Sequence, residues 1–154
     1  MMDSDLRDLY QEVILDHGRN PRHFGKLEGA NHDAHGHNPL CGDQVHVQLI
    51  LDDQDRIADI AFEGKGCAIS MASASMMTEL VLGKTVEEAH RLMEAFVHLT
   101  KGEPVEMTGV SEDDLDRLQV MSGVSQFPMR VKCATLAWHT LDAACQGEDK
   151  VTSE

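Results

Sequence analysis

Aromatic residues are scarce in this chain: one Trp, one Tyr and four Phe amount to 4% of it. A core with so few rings must be mainly aliphatic, and nine Met supply adaptable fillers for irregular gaps. Cationic residues are short as well, 13 Lys and Arg against 27 Asp and Glu, for a formal net charge of −14. A field of that sign repels phosphate backbones and anionic lipid surfaces, so neither nucleic acid nor membrane is an expected partner. No apolar run approaches the ~18 residues of a membrane span, and the opening "MMDSDLRD" has acids where a secretory leader needs basic residues before an apolar stretch. A cytoplasmic protein is the expectation. The four cysteines contain no C-x-x-C pair, which removes support for a thioredoxin-like redox motif and for a zinc ribbon. In a reducing compartment they are not expected to form stable disulfides, which leaves burial, metal ligation or thiol reactivity.

What is present has clear order. Leu6, Leu9, Tyr10, Val13 and Ile14 recur at helical spacing behind a Ser4 or Asp5 cap, predicting an amphipathic helix that stops by Gly18. From there to about Leu40 the chain is rich in Gly, Asn, Pro and His and reads as a loop-dominated connection. Val45, Val47, Leu49 and Leu51 alternate along the next segment, and after "DDQD" Ala58, Ile60 and Phe62 alternate again, the pattern of an antiparallel hairpin with one buried face. A third strand is expected between Asn31 and His37. The run "GKGCAISMASASMMTELVLGK" turns through glycines into a helix of small and apolar residues that closes at Gly83. Thr85 and Glu88 make a capping box for a helix from Val86 to about Leu99, Ser111 and Asp114 repeat the signature for a shorter one to about Met121, and Pro128 opens a last helix. Residues 1–147 thus read as a single domain and 148–154 as a polar, frayed tail. A small three-stranded antiparallel sheet covered by about five helices is an α+β fold.

Three of the cysteines fall at element boundaries. Cys41 precedes a strand, Cys67 opens a helix after a glycine turn, and Cys133 lies near the start of the last helix. A thiol at a helix N-terminus meets the positive end of the dipole, which favours thiolate, the form needed both for metal binding and for nucleophilic attack. Gly42, Gly64 and Gly66 allow the backbone to approach a bound group. Asp43 lies two residues after Cys41, on the same side of an extended chain. Three thiolates and one carboxylate would complete a tetrahedral zinc site or hold a [2Fe–2S] cluster with one sulfur ligand replaced by oxygen. Packing for the cysteines and a turn role for Asp43 are the competing readings.

The segments "LYQEVILDHGRNPRHFG", "NPLCGD", "GKGCAIS" and "RVKCATLAW", in this order, closely resemble the IscU/NifU-like iron–sulfur assembly proteins. The resemblance implies a compact α+β domain that gathers its ligands at one exposed end, here Cys41, Asp43, Cys67 and Cys133, and a pyridoxal-phosphate (PLP) cysteine desulfurase as sulfur donor. The scaffold branch commonly has His before its third cysteine; here that position is Lys132, whose ammonium cannot ligate a metal. The long segment before Cys133, with "GVSEDDLDRLQVMSG", and the following "FPMRVKCATLAW" resemble the SufU branch. That implies Zn2+ as cofactor, a SufS-like desulfurase and downstream Suf-type cluster assembly proteins as partners, and a place for Arg130 beside the metal site.

The leading functional reading is a zinc-dependent sulfurtransferase in which Cys41 accepts persulfide sulfur with Arg130 assisting. The alternative is a scaffold that builds and releases a labile [2Fe–2S] cluster, or holds Fe2+, on the same ligands. A third reading is a zinc module that only docks partners. His32, His35 and His37 read as a solvated segment with no site, His17 as a cap on helix carbonyls, and Cys145 as structural.

Overall fold

The computed structural model describes residues 4–39, 42–105 and 110–152, with side chains from residue 10 to residue 150 within those ranges. The described residues form five α-helices and four strands: α1 Ser4–Arg19, β1 His32–Asn38, β2 Asp43–Leu51, β3 Ile57–Lys65, α2 Ala68–Val81, α3 Val86–Thr100, α4 Glu112–Leu118, α5 Pro128–Cys145 and β4 Lys150–Thr152, with a 3-10 helix Gln119–Gln126 ahead of α5. The sheet order is β3-β2-β1-β4, antiparallel except for the parallel β1–β4 pair.

The expected hairpin of β2 and β3 forms, and the third strand falls where it was anticipated, although its residues are poor strand formers. Pairing with β2 along its whole length, from His32↔Leu49 to Asn38↔Asp43, supplies what propensity does not. The tail expected to fray departs from that expectation: His35 N–H donates to Asp149 O at 2.8 Å, and β4 adds a short edge strand beside β1. The free edge of β1 offers unpaired backbone groups, and satisfying them outweighs the polarity of the tail.

Val45, Val47 and Leu49 of β2 and Ile60 and Phe62 of β3 turn inward and are buried. α5 packs against β1 at close range, since a Cβ on Gly36 would stand 2.0 Å from Thr140 Oγ1. The one Trp anchors the same helix: Trp138, 1% exposed, stacks on Phe96 of α3 with ring centroids 5.1 Å apart. α2 lies between α1 and α5, and its buried Ala72, Ser73, Ala74 and Ser75 explain the closeness. The Ser73 hydroxyl donates to Ala134 O of α5. Thr85 and Glu88 form the predicted capping box of α3, and Ser111 caps α4 by accepting from Asp114 N–H.

The "DHGRNPR" segment straps this frame. The Arg22 guanidinium reaches Asp16 Oδ2 at 2.6 Å and Asn20 O at 2.8 Å, its backbone N–H donates to Ser75 Oγ at 2.8 Å, and His23 Nδ1 lies 2.9 Å from Thr78 Oγ1. The chain then runs beside β3, exchanging Phe62 N–H to His23 O at 3.0 Å and Gly25 N–H to Phe62 O at 2.9 Å, which covers the sheet's outer strand. His17 does not cap carbonyls: it is 7% exposed, with Nδ1 2.7 Å from Ser75 Oγ, so it ties α1 to α2. Among the described residues no helix is long and apolar enough to cross a membrane.

Candidate metal centre

Three junctions of the fold converge at one end of the sheet. β1 and β2 are joined by a short connection in which Gly42, at φ +72°, donates its N–H to Asn38 O at 2.9 Å. That conformation suits glycine and brings Asp43 directly opposite Asn38. Cys41 belongs to this connection and, with Leu40, lies outside the described residues. At the second junction the chain leaves β3 through Gly66 and enters α2 with Cys67 as N-cap, in extended backbone at φ −73° and ψ 168°. Cys133 stands in the second turn of α5, fully buried.

Asp43 links the first two junctions. Its Oδ1 accepts the Cys67 N–H at 3.1 Å, tying the start of β2 to the N-cap residue of α2, whose thiol makes no capping hydrogen bond. Its Oδ2 is buried and has no hydrogen-bond partner among the described residues, in a side chain whose residue is only 1% exposed. Leaving such an atom unmatched costs about 1–3 kcal/mol. One ligand atom from each of Asp43, Cys67 and Cys133 lies within 4.8 Å of the others. A carboxylate with one unmatched oxygen, grouped with two sulfurs, fits a cation: thiolate and carboxylate are donors for Zn2+ and for iron.

Neighbouring residues shape this pocket. A Cβ on Gly66 would stand 2.4 Å from Asp43 Oδ1 and 2.5 Å from Ser70 Oγ, so only glycine leaves the carboxylate where it is. Ser70 Oγ donates to Cys67 O at 3.0 Å and holds the first turn of α2. Asn38, completely buried, points Nδ2 at Cys133 Sγ, 3.7 Å away. Ser70 and Asn38 were not singled out from the sequence; the signal available was their place inside "GKGCAIS" and "NPLCGD", beside the ligand-type residues.

Arg130 is exposed, three residues ahead of Cys133 on α5. It borders a mostly apolar hollow of about 580 Å³ with Tyr10, Ile14, Ile69, Val124 and Phe127. Cys145 is away from the cluster near the end of α5, and burial, with Asp142 nearby, pushes its thiol up to about 12. It stays protonated and acts as a small hydrophobe. His35 and His37 of β1 are exposed and neither enters the cysteine cluster; His35 instead groups with Asp33 and His46, against the expectation of a segment with no site.

Two thiols and a carboxylate brought together from a strand start and two helix N-termini, at one end of an α+β domain, form a donor set that could hold a metal ion. The chain belongs to the family described as NifU-like N terminal domain, whose profile matches residues 9–147. It is 41% identical over 141 residues to the iron–sulfur cluster assembly scaffold protein IscU of Streptococcus pyogenes serotype M1, covering 92% of this chain and 85% of that protein. It is 40% identical over 146 residues to the zinc-dependent sulfurtransferase SufU of Bacillus subtilis, covering 95% of each. The crystal structure of a nitrogen-fixing NifU-like protein (N-terminal) from Brucella abortus superimposes with a TM-score of 0.80 at 26% identity, covering 94% of this chain and 96% of that one.

Proposed function

We propose that this chain is an iron–sulfur cluster assembly protein that takes persulfide sulfur from a PLP-dependent cysteine desulfurase of the SufS kind, with Zn2+ held by Cys41, Asp43, Cys67 and Cys133. The observation that carries this reading is the cluster of Asp43, Cys67 and Cys133, in which the buried Oδ2 of Asp43 has no hydrogen-bond partner among the described residues. Bound zinc keeps ligand thiols deprotonated near neutral pH and stabilises the fold around them.

Cys41 is assigned as the acceptor. Its thiolate attacks the terminal sulfur of the desulfurase persulfide; a new sulfur–sulfur bond forms on Cys41, the old one breaks, and the desulfurase cysteine leaves as thiolate. No net oxidation or reduction is involved, because the sulfane sulfur moves between two thiols. Asp43 is the hard donor among soft ones and therefore the ligand most easily exchanged. Arg130 is assigned to stabilise the persulfide anion or the displaced carboxylate by a charge-assisted hydrogen bond. Phe127 and Met129, 62% and 67% exposed just ahead of Cys133, give a partner enzyme apolar surface to cover. Downstream Suf-type assembly proteins would receive the sulfur.

Protein purified without chelator or added metal is expected to carry about one zinc and no visible colour. Iron with sulfide-to-iron charge-transfer bands would overturn zinc-supported transfer as the main activity and favour the second reading, a scaffold for a [2Fe–2S] cluster, which the name of the Streptococcus relative supports. Cys41→Ala is expected to abolish stimulation of cysteine desulfuration; full stimulation would leave docking as the function.

A further inference from the structure

The face of the sheet turned away from the helices carries a second group of ligand-type side chains. β1 exposes Asp33, His35 and His37 while Ala34, Gly36 and Asn38 turn inward. His35 is the register partner of His46 on β2, and the two imidazoles stack with centroids 4.0 Å apart and planes at 8°. Asp33 reaches them diagonally, its Oδ2 2.8 Å from His46 Nε2. One ligand atom from each of the three lies within 4.8 Å of the others. Glu63 and Lys150 are the next residues of this row, paired with His46 and His35 respectively, and both border a hollow of about 640 Å³ above it.

We propose that Asp33, His35 and His46 form a second divalent-metal site, separate from the cysteine centre, that takes a late first-row cation such as Zn2+. Two imidazoles and a carboxylate are a recurrent donor set for such ions when the remaining position is open to water. In tetrahedral geometry with bonds of about 2.0–2.1 Å, ligand atoms stand roughly 3.4 Å apart. Ligand atoms within 4.8 Å of one another need at most about 1.4 Å of adjustment, which side chains on the outer face of a paired ladder supply through rotation while the Cα positions stay fixed. The plain alternative is a partly exposed His–Asp pair contributing only about 0.2–1 kcal/mol. That alternative accounts for His46 and Asp33, and cross-strand stacking accounts for the parallel rings; binding one ion through both imidazoles requires the rings to tilt so that one nitrogen of each turns toward it. The pleat keeps the two centres apart: Asp43 points inward and His46, three residues on, outward. Without thiolate this site is the weaker and more exchangeable of the two, filled after the cysteine centre.

Co2+ titration of the untagged, metal-depleted full chain distinguishes the two, because only thiolate ligation adds sulfur-to-metal charge transfer. The wild-type chain is expected to take up about two equivalents, the second adding d–d absorption without further charge transfer. The His35→Gln/His46→Gln variant should take up about one and keep its charge transfer, with Zn2+ calorimetry giving the same stoichiometries. Asp33→Asn, a milder change at an exposed position, should weaken only the second equivalent. A second equivalent that persists in the double variant, or a wild-type chain saturated after the first, would overturn the proposal. Loss of charge transfer with the histidine-dependent equivalent intact would count against the cysteine centre and support this site.

Discussion

Replacing Asp43 by Asn separates what the carboxylate does for the fold from what it does for the metal. Asn keeps the volume and an Oδ1 to accept the Cys67 N–H now bonded at 3.1 Å. It changes Oδ2, which is buried and without a partner among the described residues, into an amide donor within the cluster that holds the Cys67 and Cys133 sulfurs. An unmatched buried acceptor costs about 1–3 kcal/mol, and part or all of that penalty is relieved by the exchange. For a domain of this size each kcal/mol moves the midpoint by about 2–4 °C, so metal-free Asp43→Asn should melt several degrees above the metal-free wild-type chain. With zinc in excess the order should reverse, because the wild-type chain gains binding energy by linkage and the variant, lacking an anionic oxygen ligand, gains much less. Calorimetric melts in chelator and in zinc, with affinities from competition against a chromophoric chelator, give all four quantities. A metal-free variant that melts below the wild-type chain while retaining its zinc affinity would refute the assignment of Oδ2 as a ligand held ready at a cost to stability.

Gly66→Ala introduces a Cβ 2.4 Å from Asp43 Oδ1 and 2.5 Å from Ser70 Oγ, and should cost about 1–3 kcal/mol together with zinc affinity, read by the same melts and competition titrations. Cys145, its thiol pushed up to about 12 by burial and by Asp142, should resist alkylation in the native protein and react after denaturation, as mass mapping would show, and Cys145→Ala should leave metal content unchanged. His17 is held below its ordinary value of 6.5, chiefly by burial and then by Arg22. The unfolded ring therefore takes up a proton before the folded one, and stability should fall as pH drops through 6.5 toward the lowered folded value. His17→Gln, which retains a partner for Ser75, should flatten that part of the denaturation profile. His139, also lowered by burial, keeps some slope, while His90, raised by its hydrogen bond to Asp142, acts in the opposite direction above 6.5.

Much of the fold was legible because local signals and burial agree. The alternation from Val45 to Leu51, the Thr85–Glu88 capping box and Pro128 at the start of α5 each state a local preference that packing then exploits. β1 was harder: "HDAHGHN" has little strand propensity, and its pairing is decided by β2 and β4, elements distant in sequence. The same distance hid the outer-face cluster, since His46 is separated from "HDAHGH" by a turn and meets His35 only through the register. The role of His17 was obscured because its partner Ser75 lies 58 residues away in a helix whose small side chains admit it. At the cysteine centre, residue types and glycine neighbours were readable, whereas the division of labour between the two oxygens of Asp43 needed coordinates.

That division bears on how a carboxylate serves among thiolates. Cys67 and Cys133 are carried by helices locked into the core, α2 between its neighbours and α5 by Trp138 on Phe96. Asp43 sits at the first residue of β2 and is moored through Oδ1 to the N–H of Cys67 at the start of α2, while Oδ2 has no partner among the described residues and is the oxygen available to a cation. If Oδ2 served as a metal ligand, its release would break neither the bond to the Cys67 N–H nor the ladder, and the carboxylate would stay within reach to bind again. A fourth thiolate in its place would offer one atom for both tasks. A site proposed to admit sulfur and afterwards close would gain from a ligand with a second point of attachment, and Asp43, with one oxygen on the Cys67 N–H and the other unmatched among the described residues, allows it.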